Sequence, residues 1–399
     1  MDRIKEIILR RSEEILPEVI SLRRHFHMNP ELSFKEHETS AFICSFLEKN
    51  GIKYRNNIAG TGVIGQITGT KKAQGKIIGL RTEMDALPIN EKNILDYSST
   101  REGRMHACGH DAHMAMLLGT AKILNDLTDS FAGTFLLIFQ PGEELVPGGA
   151  KLMIESGAFD GQSPDIVLAQ HVLPELETGR VGYKPGRYMA SSDEIYITVT
   201  GKGGHAALPG ASTDQILIAS RLIVRLKETM AGIQKEKNIP TVLGIGRIRG
   251  DGATNVIPEK VEIAGTFRTF DEAWRSEAKS LISRICSEVA GENKVSIEVR
   301  IAHGYPVLVN NERLTARAME LTSELYGMKS IETFDIRMGS EDFAFFTEKY
   351  PCVYYRTGIR KKDAPVRNIH TPDFDIDEQS MKTGVANLCW LAINFVKEG

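Results

Sequence analysis

A chain of 399 residues, 42% hydrophobic and 25% charged, has the make-up of a folded, water-soluble protein and is long enough for two domains. Its formal net charge is −3, with acidic and basic residues interleaved, so no basic stripe suits nucleic acid or an anionic membrane. Five widely spaced cysteines (Cys44, Cys108, Cys286, Cys352 and Cys389) are too few and too odd in number for a disulfide scaffold. No signal-like apolar core opens the chain and no apolar run approaches the roughly 18 residues of a membrane span, so a cytoplasmic protein is expected.

Residues 1–27 carry Ile4, Ile7, Ile8, Ile15, Leu16 and Ile20 at helical spacing, which predicts one long helix. A second helix is expected over 36–50, ended by Gly51. Strand-like runs follow at 63–68, 76–81, 134–139 and 166–171, with helical patterns at 112–127 and 150–156. That alternation predicts an α/β fold with a mixed, mostly parallel sheet flanked by helices. Near residue 186 the pattern changes. A strand at 194–200, a helix at 213–231, strands at 241–249 and 261–268, a helix at 271–290 and a strand at 295–301 follow in turn. This β-α-β-β-α-β order is that of a compact two-layer domain. The expected organisation is a metal-binding catalytic domain from residues 1–185 and 302–399, with a satellite domain, 186–301, inserted.

The densest chemistry lies in Met105-His-Ala-Cys-Gly-His-Asp-Ala-His113, with three histidines, a cysteine and an aspartate in nine residues. Buried imidazoles and carboxylates cost free energy unless paired or bound to a metal, and a thiolate beside imidazoles suits zinc and its neighbours. His106, Cys108 and His110 alternate, so an extended segment places them on one side. The helical pattern starts at Asp111, and a helix N-terminus favours a thiolate at Cys108. The structural alternative is an N-cap Asp111 with incidental histidines.

Gln140-Pro-Gly-Glu-Glu144 follows an apolar strand, where α/β sheets bind ligands. Of two adjacent carboxylates, one can ligate a metal while the other holds a water as general base; alone, the pair reads equally as a solvated acidic turn. His171 ends another apolar run and His370 lies in a loop-like stretch, and each alone reads as structural. Gly203-Gly-His-Ala-Ala-Leu-Pro209 joins a satellite strand to a helix, with glycines that admit a substrate to the backbone, or forms a turn with an exposed histidine. Gly60-Thr-Gly-Val-Ile-Gly65 matches a dinucleotide fingerprint, but β-prone residues follow where a helix is required.

These motifs occur in one order with Arg81-Thr-Glu-Met-Asp85-Ala-Leu-Pro, Asn255-Val-Ile-Pro, Gly265-Thr-Phe-Arg268, Gly339-Ser-Glu-Asp-Phe343 and His370-Thr-Pro. In this the chain resembles the amidohydrolase branch of the aminoacylase/glutamate-carboxypeptidase superfamily of dinuclear metallopeptidases. The resemblance spans nearly the whole chain, from Arg24-His-Phe-His-Met-Asn-Pro-Glu31 to His370. It implies two divalent ions per subunit, zinc or manganese, with nickel or cobalt as alternatives. Cys108 would bridge them, with His110, Glu144, His171 and His370 completing the ligands. Glu143 would be general base and later proton donor, and Asp85 would support the metal site. His205 would polarise the scissile carbonyl, in dimeric relatives from the partner subunit. Asn255 and Arg268 would hold a substrate carboxylate. His106 and His113 then fall to supporting roles, and Asp111 to starting a helix.

The implied reaction is hydrolysis of N-acyl amino acids to a carboxylic acid and a free amino acid, with peptidase action on short peptides as the alternative. A homodimer through the satellite domain is consistent with the family. Two rivals are a nicotinamide oxidoreductase resting on the Gly60 segment and a non-catalytic binder of the same fold. Two departures stand out: Glu83 replaces the usual aspartate, and Gly210-Ala-Ser-Thr-Asp-Gln215 replaces a histidine-containing stretch.

Overall fold

The computed structural model describes residues 2–208, 210 and 212–397. The chain divides into two compact units. One comprises Met1–Tyr188, Val309–Asp335 and Asp342–Gly399; the other comprises Met189–Leu308 and Ile336–Glu341.

The first unit is built on an eight-stranded mixed sheet. Its spatial order is Lys53–Ile58, Gly62–Thr68, Thr134–Gln140, Ile77–Glu83, Ile166–Glu177, Cys352–Arg360, Val181–Tyr183 and Ile331–Thr333. The central neighbours run parallel and the flanking ones are mostly antiparallel. Central strands such as Thr134–Gln140 are buried on both faces, as a parallel sheet covered by helices requires. Helices Leu16–Met28, His110–Asp126 and Ser380–Phe395 pack on one another, with Met114, Leu117, Leu118, Trp390 and Phe395 fully or almost fully enclosed.

The helix expected over 1–27 is two helices, Asp2–Glu14 and Leu16–Met28, meeting at Ile15. Pro17 lies in the first turn of the second, where its missing N–H is tolerated; deeper in one long helix it would clash with the preceding turn. The strand holding His171 is also longer than the apolar run suggests. Pairing with Ile77–Glu83 stops at Arg81↔Ala169, while pairing with Cys352–Arg360 continues to Glu177. His171 therefore sits just past the last rung shared with the neighbour rather than at a strand end.

The second unit has a four-stranded antiparallel sheet, ordered Thr241–Arg249, Lys260–Thr269, Ser191–Thr200 and Ser296–His303. Burial alternates along Ser191–Thr200, and Ile195, Ile197 and Val199 share a core with Leu222, Leu226, Trp274 and Ile282 from the two helices. Those helices, Gln215–Lys237 and Glu272–Asn293, are capped by Asp214 and Asp271, whose carboxylates accept from Leu217 N and Trp274 N. Ile336–Glu341 groups with this unit although the chain around it belongs to the first. Ala190 N donates to the Arg337 and Gly339 carbonyls, and Arg268 donates to Met338 O. No described helix is long and apolar enough to cross a membrane.

A buried ionic cluster ties the first unit's helices together. Arg23 Nε lies 3.0 Å and His27 Nδ1 2.8 Å from Asp111 Oδ2, and His27 Nε2 lies 3.0 Å from Glu91 Oε1. Burial disfavours charge on His27, but hydrogen bonds to Asp111 and Glu91 outweigh it and raise its pKa to about 9. The stability that protonated His27 contributes is complete below its ordinary value near 6.5 and is lost as pH rises through 9. Relative to His27→Gln, the wild type should lose up to about 3 kcal/mol of unfolding free energy across that window. Chemical denaturation at stepped pH checks this, and a gap independent of pH would show that His27 is uncharged.

Candidate metal centre

The cysteine–histidine segment enters its helix through Gly109, which adopts φ 86° at the N-cap. A side chain there would press on Val172, since a Cβ would come 2.5 Å from Val172 Cγ2. Asp111 lies in the first helical turn but does not cap it; its carboxylate is taken by Arg23 and His27.

Around this turn five side chains converge. Cys108 Sγ is 3.4 Å from His171 Nε2 and 3.3 Å from His370 Nε2, and Glu144 Oε1 is 3.1 Å from His370 Nε2. Cys108, His110 and His171 form one set of potential ligand atoms, all within 4.8 Å of one another. Cys108, Glu144 and His370 form a second such set, and His110, Glu143 and Glu144 a third. His370 reaches the cluster at φ 62°, a left-handed conformation that costs a non-glycine residue energy, and its N–H is anchored to Ala107 O at 2.7 Å.

The histidines are oriented from behind. His171 Nδ1 donates to Val172 O and His110 Nδ1 to Asp85 O, both at 2.8 Å. A carbonyl can only accept, so each Nδ1 carries a proton, and in the neutral ring each Nε2 presents a lone pair to the cluster. His110 Nε2 is buried with no hydrogen-bond partner among the described residues. An enclosed lone pair facing a thiol and carboxylates is what a metal ligand needs, so this donor set fits divalent cations. Asp85 braces two members at once. Its Oδ1 lies 3.4 Å from His110 Nδ1, and its Oδ2 accepts from Glu144 N at 2.9 Å and Ser33 Oγ at 2.7 Å. Glu143, also buried, accepts from Asp342 N at 3.4 Å.

The electrostatics revise one expectation. Burial first, then the charges of Glu144 and Glu143, push the Cys108 thiol well above its ordinary range. A helix N-terminus supplies at most about 2 kcal/mol, too little against the desolvation of a buried anion, so holding a thiolate here requires a cation. His110 shows the same deficit of positive charge. Burial opposes its protonation, yet Asp85 and the nearby carboxylates raise it to about 10.

Glu83 and His113 support the cluster. Glu83 is fully buried between Arg81 Nη1 and His113 Nδ1, the latter at 2.9 Å. His113 Nε2 accepts from Val172 N, at 2.9 Å, and so fixes the peptide that holds His171. His106 is buried with neither ring nitrogen hydrogen-bonded among the described residues, and burial lowers its pKa to about 4. Sequence reading passed over Ser33 and Glu36, which reach Asp85 and Gly142. Their only sequence signal is proximity to Glu31 at the end of the quoted N-terminal motif.

In the second unit, His205 lies on the short strand Gly204–His205, paired with Val256–Ile257, and Ala206 N donates to Asn255 O at 3.0 Å. His205 and Asn255 are thus neighbours. Arg268 lies on Lys260–Thr269, half-buried, donating to Met338 O at 2.9 Å and Ser340 Oγ at 3.3 Å. Pro209 of the glycine-rich motif and Ala211 of the adjoining departure lie outside the described residues. Gly60, at φ 100°, turns between the antiparallel strands Lys53–Ile58 and Gly62–Thr68. With a hairpin and no following helix, that segment lacks the dinucleotide-binding context.

Thiol, imidazole and carboxylate donors gathered beside the ends of parallel strands define a metal-dependent hydrolase. Residues 79–394 match Peptidase family M20/M25/M40, and the chain belongs to that family of amide-hydrolysing enzymes. It is 39% identical over 306 residues to the N-acyl-L-amino acid amidohydrolase of Geobacillus stearothermophilus, covering 77% of this chain and 81% of that one. It is 37% identical over 390 residues to thermostable carboxypeptidase 2 of Saccharolobus solfataricus, covering 96% of each. Among solved structures it superposes, with a TM-score of 0.80 and 31% identity, on a dinuclear metal-binding M20 peptidase from Bacillus subtilis, covering 96% of this chain and 99% of that one.

Cys108→Ser should lower the metal-to-protein ratio measured by elemental analysis after gel filtration. A ratio equal to wild type would remove Cys108 from the ligand set.

Proposed function

We propose that this enzyme hydrolyses the amide bond of N-acyl amino acids, releasing a carboxylic acid and a free amino acid. The observation that carries the reading is the convergence of two adjacent glutamates on one cluster. Glu144 groups with Cys108 and His370, and Glu143 and Glu144 both group with His110; we assign Glu144 as a ligand and the buried Glu143 as the base. In this reading Cys108, His110, Glu144, His171 and His370 hold two divalent ions. The mixed sulfur, nitrogen and oxygen donors favour zinc or manganese over magnesium or calcium, with nickel or cobalt as alternatives. The relative named as an N-acyl-L-amino acid amidohydrolase supports the substrate class, and the dinuclear peptidase supports the metal count.

When bound, the ions supply Lewis acidity that activates a water and polarises the amide carbonyl. Glu143 takes a proton from the attacking water and delivers it to the amine nitrogen as the C–N bond breaks. Asp85 keeps His110 and Glu144 in register while this happens. His205 is assigned as a donor to the carbonyl oxygen, and Asn255 and Arg268 as groups that hold the substrate carboxylate; these roles rest on the family motif. The five cysteines, all free and buried, fit a reducing, cytoplasmic setting. Pairing of two copies through the second unit is part of the proposal, with Thr241–Arg249 as an edge strand exposing Val242 and Ile248.

The relative named as a carboxypeptidase supports a second reading, peptide hydrolysis by the same centre. A panel of N-acetyl, N-benzoyl and indole-acetyl amino acids run beside dipeptides separates the two. Turnover confined to the peptides would replace the first reading with the second. A chelator should abolish activity, and added zinc or manganese should restore it. Glu143→Gln should lower kcat by about 10³-fold with metal content unchanged, and near-normal turnover would remove Glu143 as the base.

A further inference from the structure

We infer that Glu36, a buried carboxylate remote in sequence from every proposed ligand, is the positioning residue that sets the placement of Glu143. This rests on the reading of Glu143 as the base. Glu36 is completely enclosed, and among the described residues its partners are hydrogen-bond donors with no cation. Oε1 accepts from Phe34 N at 2.9 Å and Gly142 N at 2.8 Å, and Oε2 accepts from Thr61 Oγ1 at 2.6 Å.

Gly142 directly precedes Glu143 and is clamped on both sides. Its N–H goes to Glu36, and its carbonyl accepts from Gly149 N at 3.0 Å. It adopts φ 55°, and a Cβ there would lie 2.4 Å from the Phe34 ring. Phe34 is itself held at φ 63°, unusual for so bulky a residue, with its N–H on the same Glu36 oxygen. On the far side of Glu143, Glu144 N is fixed to Asp85 Oδ2, which Ser33 also engages. The base therefore sits between two anchored peptides, and the segment from Ser33 to Glu36 reaches both anchors. A buried carboxylate with no counter-ion among the described residues is costly to keep ionised, and burial raises the pKa of Glu36; its three donors offset part of that cost.

What matters in this arrangement is the length of the side chain and its acceptor oxygen, not its charge. Glu36→Gln keeps an oxygen for both N–H groups, and its amide can donate to Thr61 Oγ1. Glu36→Asp keeps the charge but falls a methylene short. With an N-acyl amino acid that the wild type turns over, Glu36→Asp should lose about 100-fold in kcat with little change in KM, full metal content and an unchanged pH profile. Glu36→Gln should stay within about threefold of wild type, since its hydrogen bonds are retained. The reverse ranking, equal loss in both variants, wild-type activity in both, or metal loss from Glu36→Asp would each overturn the inference. Thr61→Val, which frees Oε2 without touching Glu36, should also lower kcat at unchanged KM, and wild-type kcat there would overturn it independently of how Glu36→Asp folds. If Glu143→Gln keeps turnover, the base assignment fails and takes this inference with it. If Glu143→Gln is inactive while Glu36→Asp is fully active, only the inference fails.

Discussion

Five acidic groups, Glu83, Asp85, Cys108, Glu143 and Glu144, meet where the first unit excludes most water, and that excess of potential negative charge governs the rest of the site. Arg81 is one fixed cation here, and the buried Arg356, paired in register with His171, is another. The Arg81 guanidinium engages Glu83, Gln140 and Asp342 and is fully enclosed. Burial, and then the neighbouring carboxylates, push the Cys108 thiol upward, and the carboxylates favour a proton on His110 against the cost of burial. Divalent cations would displace that proton and hold the thiolate, so metal binding and the protonation of the site are one equilibrium.

The scaffold bears this charge on stiff elements. Glu83 and Asp85 leave one central parallel strand, Gln140–Glu144 leaves its neighbour, and His171 lies on a third. Cys108 and His110 arrive at the start of a helix buried along most of its length. His370 comes from irregular chain near the C-terminus, in a left-handed conformation secured by the Ala107 carbonyl. Its half-exposed side chain contrasts with the enclosure of Cys108, His110 and His171.

The parts of this arrangement legible in the sequence are those written in local pattern. Cys108 and His110 of the alternating run and the adjacent glutamates, which follow an apolar strand, supply potential ligand atoms that lie close together. The satellite order of strands and helices was equally readable, because half-buried strands and capped helices leave periodic traces. Long-range backbone geometry left no such trace. Nothing in Phe34 announces a left-handed backbone, and nothing in Glu36 announces a partner more than a hundred residues away. Apolar spacing over residues 1–27 carries no trace of the break at Ile15, which Pro17 in the first turn of the second helix accounts for. His106 is the opposite case. Its position in the motif suggested chemistry, whereas burial leaves it neutral and apart from the ligand sets.

Glu83 shows how a departure from the usual pattern is absorbed. Its carboxylate spans Arg81 on one side and His113 on the other, and His113 passes the constraint through Val172 N to the peptide that orients His171. An aspartate on the same backbone would draw the carboxylate back by about 1.5 Å, one C–C bond. The 2.9 Å contact with His113 would then exceed hydrogen-bond range unless the strand or the helix shifted. The extra methylene is therefore matched to the position of His113 on the helix His110–Asp126. The substitution changes how the cluster is braced and leaves its composition of donors intact.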